Sequence, residues 1–425
     1  MKRAVWWVLL VSAWSATAAS APLTLDEALA SVAAPHPDRR IAESELALAR
    51  ADRDEAASRQ DFRLFLDGAL AGGYSDYSHF SGWRSNNLGR IVARKPVFDF
   101  GRSSQAVAAA GQEVAARQTA LLQVESLRRI DIMARFFDVL LADGQYAADN
   151  EFMAVAYVSL NNAKDRFALG QISQPELVKM EADYQDIRER REAGLQRVRS
   201  TRQQLAHAMF RPGDLPGELA EPALPGNAQP VAEYESLLPW VMEKNPRVLA
   251  LQAQLAAADA RVAAVRAERN PMLDAEVVGA DYSRITNTRD QVSAGLLFVI
   301  PLYQGGRVDA RVARELAQKE RSAAELDKLK LDLADSLLAT LQEIEWLRSS
   351  GRAAADKQIE YRDWALERSR AEYEVELKTS LGTSMAETQV AALRRQQVEY
   401  RLALALARLE AMSGGSLPPV EGAGK

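Results

Sequence analysis

The sequence contains no cysteine and only three histidines among its 425 residues. Without cysteine, disulfide bonds and thiolate metal sites are excluded. The histidines, at positions 36, 79 and 207, are scattered, and we expect each to be a surface or loop residue rather than a metal ligand. The net charge of −5 at pH 7 argues against nucleic acid as the main partner.

Sequence motifs of catalysis are also missing. No glycine cluster continues as Gly-Lys-Ser/Thr, no histidine pair has metal-binding spacing, and no Gly-x-Ser-x-Gly elbow occurs. Carboxylates are abundant, but they stand at helical spacing among lysines and arginines, as on a solvated helix face. We therefore predict that the protein is not an enzyme and binds no cofactor or metal.

Long apolar runs are scarce. The clearest one, from Ala4 to about Trp14, follows two basic residues and precedes a stretch of small residues that ends near Ala21. This order predicts a secretory signal peptide over residues 1–20, cleaved between 18 and 21, because the run is too short to cross a bilayer. No later run reaches about 18 apolar residues. We expect an exported chain without a transmembrane helix, either soluble or a β-barrel.

Two short stretches resemble each other at half the chain's length. "KPVFDFGR" (95–102) and "IPLYQGGR" (300–307) both read apolar run, proline, aromatic, glycine, arginine, and their prolines are 205 positions apart. A proline also begins a helical pattern in each half, at Pro37 and Pro246. These matches predict a two-fold internal repeat, 21–225 and 226–413, with a Pro/Gly-rich connector over 211–230 and a flexible tail over 414–425.

Two proline-free runs predict long helices at about 102–169 and 306–375. Each would be roughly 100 Å long at about 1.5 Å per residue. Gly144 and Gly351 lie within them, and we favour tolerated mid-helix glycines over bends. Return helices are predicted at about 176–209 and 381–412, and shorter ones at about 25–59 and 231–268.

Within the two long runs, apolar residues recur every three or four positions, which is the coiled-coil period. They are Leu127, Ile130, Met133, Phe137 and Leu140 in the first run, and Leu326, Leu329, Leu333, Leu337, Leu341, Ile344 and Leu347 in the second.

Four segments alternate apolar and polar residues and predict strands at about 61–75, 86–99, 272–283 and 290–303. Polar stretches at 75–86 and 283–290 read as the loops between partners. Strands of about ten residues with aromatic residues at both ends fit an outer-membrane barrel, but an ordinary antiparallel sheet with one packed face fits the alternation equally well. Four strands cannot close a barrel, so strands that cross lipid would require several chains to share one barrel.

Taken together, the signal peptide, the repeat, the strand pairs and the Pro-x-aromatic-x-x-Gly-Arg entries to long helices resemble the TolC-like outer-membrane channels. The stretch 301–307 is a close version of that family's strand-to-helix junction. The stretch 96–102 is a looser one, with Phe100 where a glycine is usual, so we expect the two junctions to bend differently. The junction residues are Pro96, Gly101, Arg102, Pro301, Gly305, Gly306 and Arg307.

The resemblance implies a mostly α-helical fold with a small β part. Three identical chains, each contributing four strands, would form one transmembrane β-barrel, continued by a helical coiled-coil barrel as a tunnel through the periplasm. The two helical turns would be periplasmic tips that contact an adaptor protein. The matching tip residues are Leu169, Gly170, Gln171 and Ile172 in the first turn, and Val375, Glu376 and Leu377 in the second, where Glu376 replaces a glycine.

A gate at the periplasmic end is also implied by the resemblance, formed by Glu176, Tyr373 and Lys378. Pro175 stands where a threonine is usual, so one hydrogen-bond partner is missing. Ordinary surface charges are the alternative for Lys378 and Glu176, since exposed pairs contribute only about 0–1 kcal/mol.

The expected function is an exit duct in the outer membrane of a Gram-negative bacterium, within a tripartite efflux pump or a type I secretion system. Its partners would be a periplasmic adaptor (a membrane fusion protein), an inner-membrane pump or ABC exporter, and outer-membrane lipid. Since a wide, wet tunnel selects little, selectivity for drug, metal or protein cargo would reside in the pump. The alternative is a soluble periplasmic coiled-coil adaptor or scaffold, which explains the helices but not the paired strands.

Overall fold

The computed structural model describes residues 22–77, 80–283, 289–375 and 381–418. The predicted signal peptide lies outside the described residues. The chain folds into two compact units, each built from separate segments. The helical unit contains the described residues up to Ala34, Asp131–Leu224 and Lys357–Gln397, and the sheet unit contains Pro35–Ile130, Pro225–Asp356 and the chain from Val398 onward.

Most of the described residues are helical, which confirms the predicted mostly α-helical fold with a small β part. The two helices that begin at prolines are each capped by the side chain of the residue before the proline, as expected for proline at the first helical position. The Asn245 side chain accepts hydrogen bonds from the backbone N–H groups of Arg247 and Val248, at 2.9 and 3.3 Å. The α-helices are α1 (Leu25–Ala30), α2 (Pro37–Ser58), α3 (Arg102–Ala168), α4 (Gln174–Ala208), α5 (Tyr234–Lys244), α6 (Pro246–Arg266), α7 (Arg307–Trp346), α8 (Arg352–Glu374) and α9 (Leu381–Met412).

The second long helix is interrupted, which corrects the prediction of one continuous helix over 306–375. A π-helical segment, Leu347–Gly351, separates α7 from α8. A Cβ atom at Gly351 would lie 3.4 Å from the Trp346 carbonyl oxygen and 3.6 Å from a Leu347 methyl group. Gly351 therefore lies at a break in the α-helical ladder, whereas Gly144 lies within the uninterrupted α3.

Within the described residues the β part has six strands, where the sequence predicted four. β1 (Arg63–Ala69), β4 (Leu88–Phe98), β5 (Met272–Tyr282) and β6 (Val292–Val299) form an antiparallel sheet in the order β1-β4-β5-β6. β2 (Gly72–Tyr77) and β3 (Phe80–Ser85) form a separate hairpin.

The β2–β3 hairpin occupies most of the segment 75–86 that the sequence predicted to be a polar loop. Tyr74 and Trp83 face each other across it, with ring centroids 6.3 Å apart in an edge-on arrangement. The Tyr74 hydroxyl also shares a 2.6 Å hydrogen bond with the Ser81 hydroxyl. Such cross-strand pairs stabilise a hairpin of otherwise polar composition.

The four-stranded sheet has one apolar face and one predominantly polar face. On the polar face, cross-strand ion pairs join Arg90 to Asp67, at 3.0 Å, and Arg94 to Glu276. Phe65 and Leu297 lie among these charges. The large side chains of the apolar face are exposed in the single chain: Leu64, Leu66, Ile91, Val277, Val292, Leu296 and Phe298.

The predicted leucine seam of the second long helix is confirmed as buried core in the sheet unit. Leu326, Leu329 and Leu333 pack with Val248, and residues from Leu337 to Leu347 pack with α5 and α9. In the first long helix Met133 and Phe137 are buried, but Leu127 is exposed. The place of Leu127 in a coiled-coil seam therefore stays a prediction.

One helical stretch, Pro246–Arg269, is long and apolar enough to cross a membrane by length and composition. This differs from the expectation that no such stretch follows the signal peptide. The core helix of a soluble protein has the same composition, and this stretch packs Val248 against the α7 leucines.

Candidate functional site

The first strand-to-helix joint turns between Phe98, the last residue of β4, and Arg102, the first of α3. Phe100 and Gly101 both have positive φ, 51° and 92°. The Asp99 carboxylate accepts hydrogen bonds from the backbone N–H groups of Gly101, at 3.2 Å, and Ser103, at 2.8 Å. This carboxylate therefore holds the turn and satisfies N–H groups that the first turn of α3 leaves without helical partners.

The second joint also has two consecutive residues of positive φ in front of its arginine. Gly305 and Gly306 have φ of 62° and 73°, and α7 begins at Arg307. Left-handed backbone is strain-free for glycine, but it costs a residue with a Cβ atom roughly 1–2 kcal/mol. Phe100 adopts it nevertheless, with its ring 4.6 Å from that of Phe98 in an edge-on contact. Both joints therefore have positive φ at these two positions, and the expected difference in bend stays a prediction.

The two prolines of the junctions lie at different places relative to their strands. Pro301 follows the end of β6 at Val299, whereas Pro96 lies inside β4. Pairing between β4 and β1 ends at Arg94, and the register between β4 and β5 shifts between Pro96 and Phe98. The missing N–H of Pro96 therefore falls where the ladder is already irregular, as proline in a sheet requires.

A single carboxylate connects both joints. Glu268 lies in the short turn after α6, and its side chain is only 6% exposed. Arg311 binds it at 2.6 Å, and the junction arginines Arg102 and Arg307 approach it at 3.8 and 4.0 Å. Gln304 also donates to the Glu268 carbonyl at 3.3 Å. Both junction arginines therefore share one acidic partner, which sequence reasoning missed.

This cluster borders a cavity of about 650 Å³ in the sheet unit. Arg63, Arg94 and Asp274, from the polar face of the sheet, line the same cavity as Glu268 and Arg311. The polar sheet face and the joint thus form one continuous, mixed-charge wall.

The first helical turn, between α3 and α4, closes on a left-handed glycine. Gly170 has φ of 69°, and its N–H donates to the Phe167 carbonyl at 2.9 Å. The next N–H, of Gln171, donates to the Arg166 carbonyl at 2.8 Å. This pair of bonds is the Schellman ending of a helix, which requires glycine or asparagine at the left-handed position.

The predicted tip residues of this turn do not all face outward. Leu169 is 72% exposed, whereas Ile172 packs against the buried Leu160, Ala163 and Leu177 of the same hairpin. Ile172 therefore anchors the turn, and Leu169 projects from it. Their proposed contact with an adaptor stays a prediction.

The predicted gate residue Glu176 has a local partner. Its carboxylate accepts hydrogen bonds from the Ser173 backbone N–H, at 2.7 Å, and from the Ser173 hydroxyl, at 2.9 Å. These bonds lower the pKa of the Glu176 carboxyl below its usual value, the backbone bond contributing most. The side chain thus caps the start of α4.

The other predicted gate and tip residues lie around the second helical turn. Tyr373 is exposed in the last turn of α8, and Val375 is exposed just after it. Glu376, Leu377 and Lys378 lie outside the described residues. The pairing of Glu176 with Tyr373 and Lys378 therefore stays a prediction.

Comparison with known proteins agrees with this geometry. Residues 237–415 match the outer membrane efflux protein family. No curated protein sequence matches the chain.

Several solved outer membrane channels have the same fold at low sequence identity. The Campylobacter jejuni CmeC outer membrane channel aligns with a TM-score of 0.78 and 11% identity, covering 92% of this chain and 86% of that one. The outer membrane protein VceC of Vibrio cholerae aligns at 0.72 and 17%, covering 93% and 97%. The open state of the Neisseria gonorrhoeae MtrE outer membrane channel aligns at 0.71 and 16%, covering 92% and 89%.

The TolC-like resemblance predicted from the sequence is therefore confirmed: residues 237–415 match the outer membrane efflux protein family, and the chain has the fold of the solved outer membrane channels.

Proposed function

We propose that this chain is the outer-membrane exit duct of a tripartite efflux pump or a type I secretion system. The observation that carries the proposal is the four-stranded sheet, apolar on one face and charged on the other, joined through two matched turns to long helices. Within the fold of outer membrane channels, such a sheet places its apolar face toward lipid and its charges toward water.

Closure of the barrel requires more than one copy. The sheet begins at β1 and ends at β6, and both edge strands are unpaired on their outer side within the described chain. In lipid, an open edge leaves backbone N–H and C=O groups without partners, so edges must join edges. Three copies would supply twelve strands and close one barrel, with the helices continuing it into the periplasm as a tunnel.

A two-fold repeat fits the order of elements. α2, the β1–β4 hairpins, α3 and α4 follow one another in the first half, and α6, β5–β6, α7–α8 and α9 follow in the second. The repeat explains why each half carries one junction motif, since each half passes once from barrel to tunnel.

The exposed apolar face argues against the alternative of a soluble adaptor. Leu66, Val292 and Leu296 are each more than two-thirds exposed on that face. Contiguous apolar surface of this kind marks a membrane or protein contact. Fractionation tests the choice: we expect the mature protein in the outer membrane, extracted only by detergent, and recovery in the soluble periplasm without detergent would refute the channel.

The duct would open at its periplasmic end when an adaptor and an inner-membrane transporter dock, and cargo would then diffuse through water. We place the gate at Glu176, Tyr373 and Lys378. The double variant Tyr373→Phe, Lys378→Ala should raise single-channel conductance in planar bilayers. Lys357→Ala, which removes an exposed lysine paired with Glu360 on α8, is the matched control. Unchanged conductance in the double variant would show that Tyr373 and Lys378 do not form the gate.

Adaptor docking at the first turn can be tested by cross-linking, because the chain has no native cysteine. Gln171→Cys should capture a periplasmic adaptor in cells, whereas Gln318→Cys, exposed on α7 in the sheet unit, should not. The captured adaptor would also separate drug or metal efflux from protein secretion. Failure of the Gln171 thiol to capture any adaptor would refute docking at this turn.

A further inference from the structure

We propose that the helical unit carries a binding site for a small organic carboxylate. The site is a pocket of about 330 Å³ lined by residues of α3, α4, α8 and α9. This volume lies at the lower end of the range for small-molecule pockets, roughly 300–1,000 Å³. The proposal does not depend on the function proposed above, since it concerns a pocket within one unit.

The first guanidinium of the pocket, that of Arg190, is held in place by neighbouring side chains. Its Nε lies 2.9 Å from a carboxylate oxygen of Asp149, whose side chain is only 2% exposed. Gln145 donates to the same oxygen at 3.1 Å. The guanidinium also stacks over the Phe152 ring, 5.0 Å from its centroid. Because Arg190 is held on two sides, little side-chain entropy is lost when it binds a ligand.

The second guanidinium, of Arg362, is held in a similar way. Glu387 pairs with one of its terminal nitrogens, and the Tyr361 ring lies under it at 5.0 Å. A guanidinium has five N–H donors, and a single carboxylate oxygen cannot occupy all of them. Arg362 therefore keeps donors for a ligand. Arg394 of α9 adds a third guanidinium to the lining.

The charge of the lining favours an anion. Three arginines face one carboxylate, that of Glu387, so the lining carries a net charge of about +2 by formal charges, or about +1 when the buried Asp149 behind it is included. Arginine binds carboxylate groups through paired, charge-assisted hydrogen bonds.

The remaining lining residues define the rest of the ligand. Phe152, Val390 and Ala391 supply apolar contact, and Gln358 supplies a polar edge. An anion that carries an aromatic or aliphatic group would therefore bind better than a purely inorganic one, because its apolar part is removed from water.

Isothermal titration calorimetry of the full-length protein in detergent, at low ionic strength, tests the site with benzoate and inorganic phosphate as probes. We expect benzoate to bind more tightly than phosphate. Arg394→Gln and Arg190→Gln should each weaken benzoate binding by about tenfold or more, since each removes a charged hydrogen-bond donor. Phe152→Leu should weaken benzoate binding more than phosphate binding, since it removes apolar contact as well as one support of Arg190.

Arg370→Gln is the matched control, because Arg370 is an exposed arginine of α8 paired with Glu367 on the same helix and is absent from the pocket lining. Equal losses in the control and the pocket variants would overturn the site, as would the absence of benzoate binding. Phosphate binding as tight as benzoate would overturn the organic part of the proposal. If Arg190→Gln fails to fold, Arg394→Gln decides, since Arg394 is exposed. Calorimetry measures binding without any ion conduction through the protein. The result for this pocket is therefore independent of whether the channel function is confirmed.

Discussion

Replacement of Gly306 by alanine should destabilise the protein, whereas the same replacement at Gly111 should stabilise it. Gly306 has φ of 73° immediately before α7, and Gly111 lies inside α3. A Cβ atom at either position meets nothing within 4 Å in the part of the chain that the structure describes. Because neither alanine clashes, the difference between the two variants arises from the backbone alone.

The magnitudes follow from the two conformations. Left-handed backbone costs alanine roughly 1–2 kcal/mol relative to glycine. Inside a helix alanine is more favourable than glycine by about 0.8–1.0 kcal/mol. The same chemical change should therefore shift the free energy of unfolding in opposite directions, with a gap of about 2–3 kcal/mol between the two variants.

Thermal unfolding in detergent, followed by circular dichroism, measures the sign of both effects. We expect Gly306→Ala to melt below the wild type and Gly111→Ala to melt above it. Gly305→Ala, with φ of 62°, should behave like Gly306→Ala. If Gly306→Ala melts at or above the wild type while Gly111→Ala behaves as expected, the left-handed geometry of the joint is wrong.

Three further outcomes are expected. Glu268→Gln should lower the melting temperature more than Glu55→Gln. Hydrogen bonds to a buried charge are worth about 1.5–3 kcal/mol, whereas exposed ion pairs contribute about 0–1 kcal/mol. Equal shifts would refute the role of the Glu268 carboxylate as common partner of the junction arginines. The lowered pKa of Glu176 means that its capping contribution is present above the usual carboxyl pKa and is lost as pH falls through the lowered value. Amide exchange at the start of α4 should therefore accelerate in acid, and Glu176→Ala should remove that pH dependence. Gly144→Ala should destabilise the protein, because its Cβ would lie 2.6 Å from a Leu393 methyl group, and in a Leu393→Ala background the same change should instead raise the melting temperature.

Periodicity predicted the fold where one pattern dominates a long segment. Leu326, Leu329, Leu333, Leu337 and Leu347 repeat at the coiled-coil period and are buried. The alternation also predicted one apolar side for each strand, and pairing brings Leu66 and Leu296 to the same face of the sheet. In both cases burial or pairing requires the same spacing that the sequence shows.

Other features depend on information that local pattern does not carry. The β2–β3 hairpin has three glycines and many polar residues, and cross-strand pairs such as Tyr74 with Trp83 form only when its two strands meet. The π segment after Trp346 leaves the apolar period almost unchanged. Phe100 has no propensity for left-handed backbone, and the surrounding joint imposes it.

Of the candidate site, the turn at Gly170 was predictable, because glycine is the usual residue at a left-handed helix ending. The role of Glu268 was not, since Arg102 of α3 and the pair Arg307 and Arg311 of α7 are far apart in sequence and meet it only in the folded chain. One signal was available: both junction motifs end in arginine, and a repeated charge implies a repeated need for an acidic partner.

The two unpaired edges of the sheet also have a genetic consequence under the proposed trimer. A chain whose β6 cannot pair would still offer a normal β1 edge to a neighbour, so it would enter assemblies and leave them open. In a cell that makes both forms, the share of fully intact assemblies would fall as the cube of the intact chain's share. Damage to one edge strand should therefore be dominant, whereas damage that keeps the whole chain from folding should be recessive.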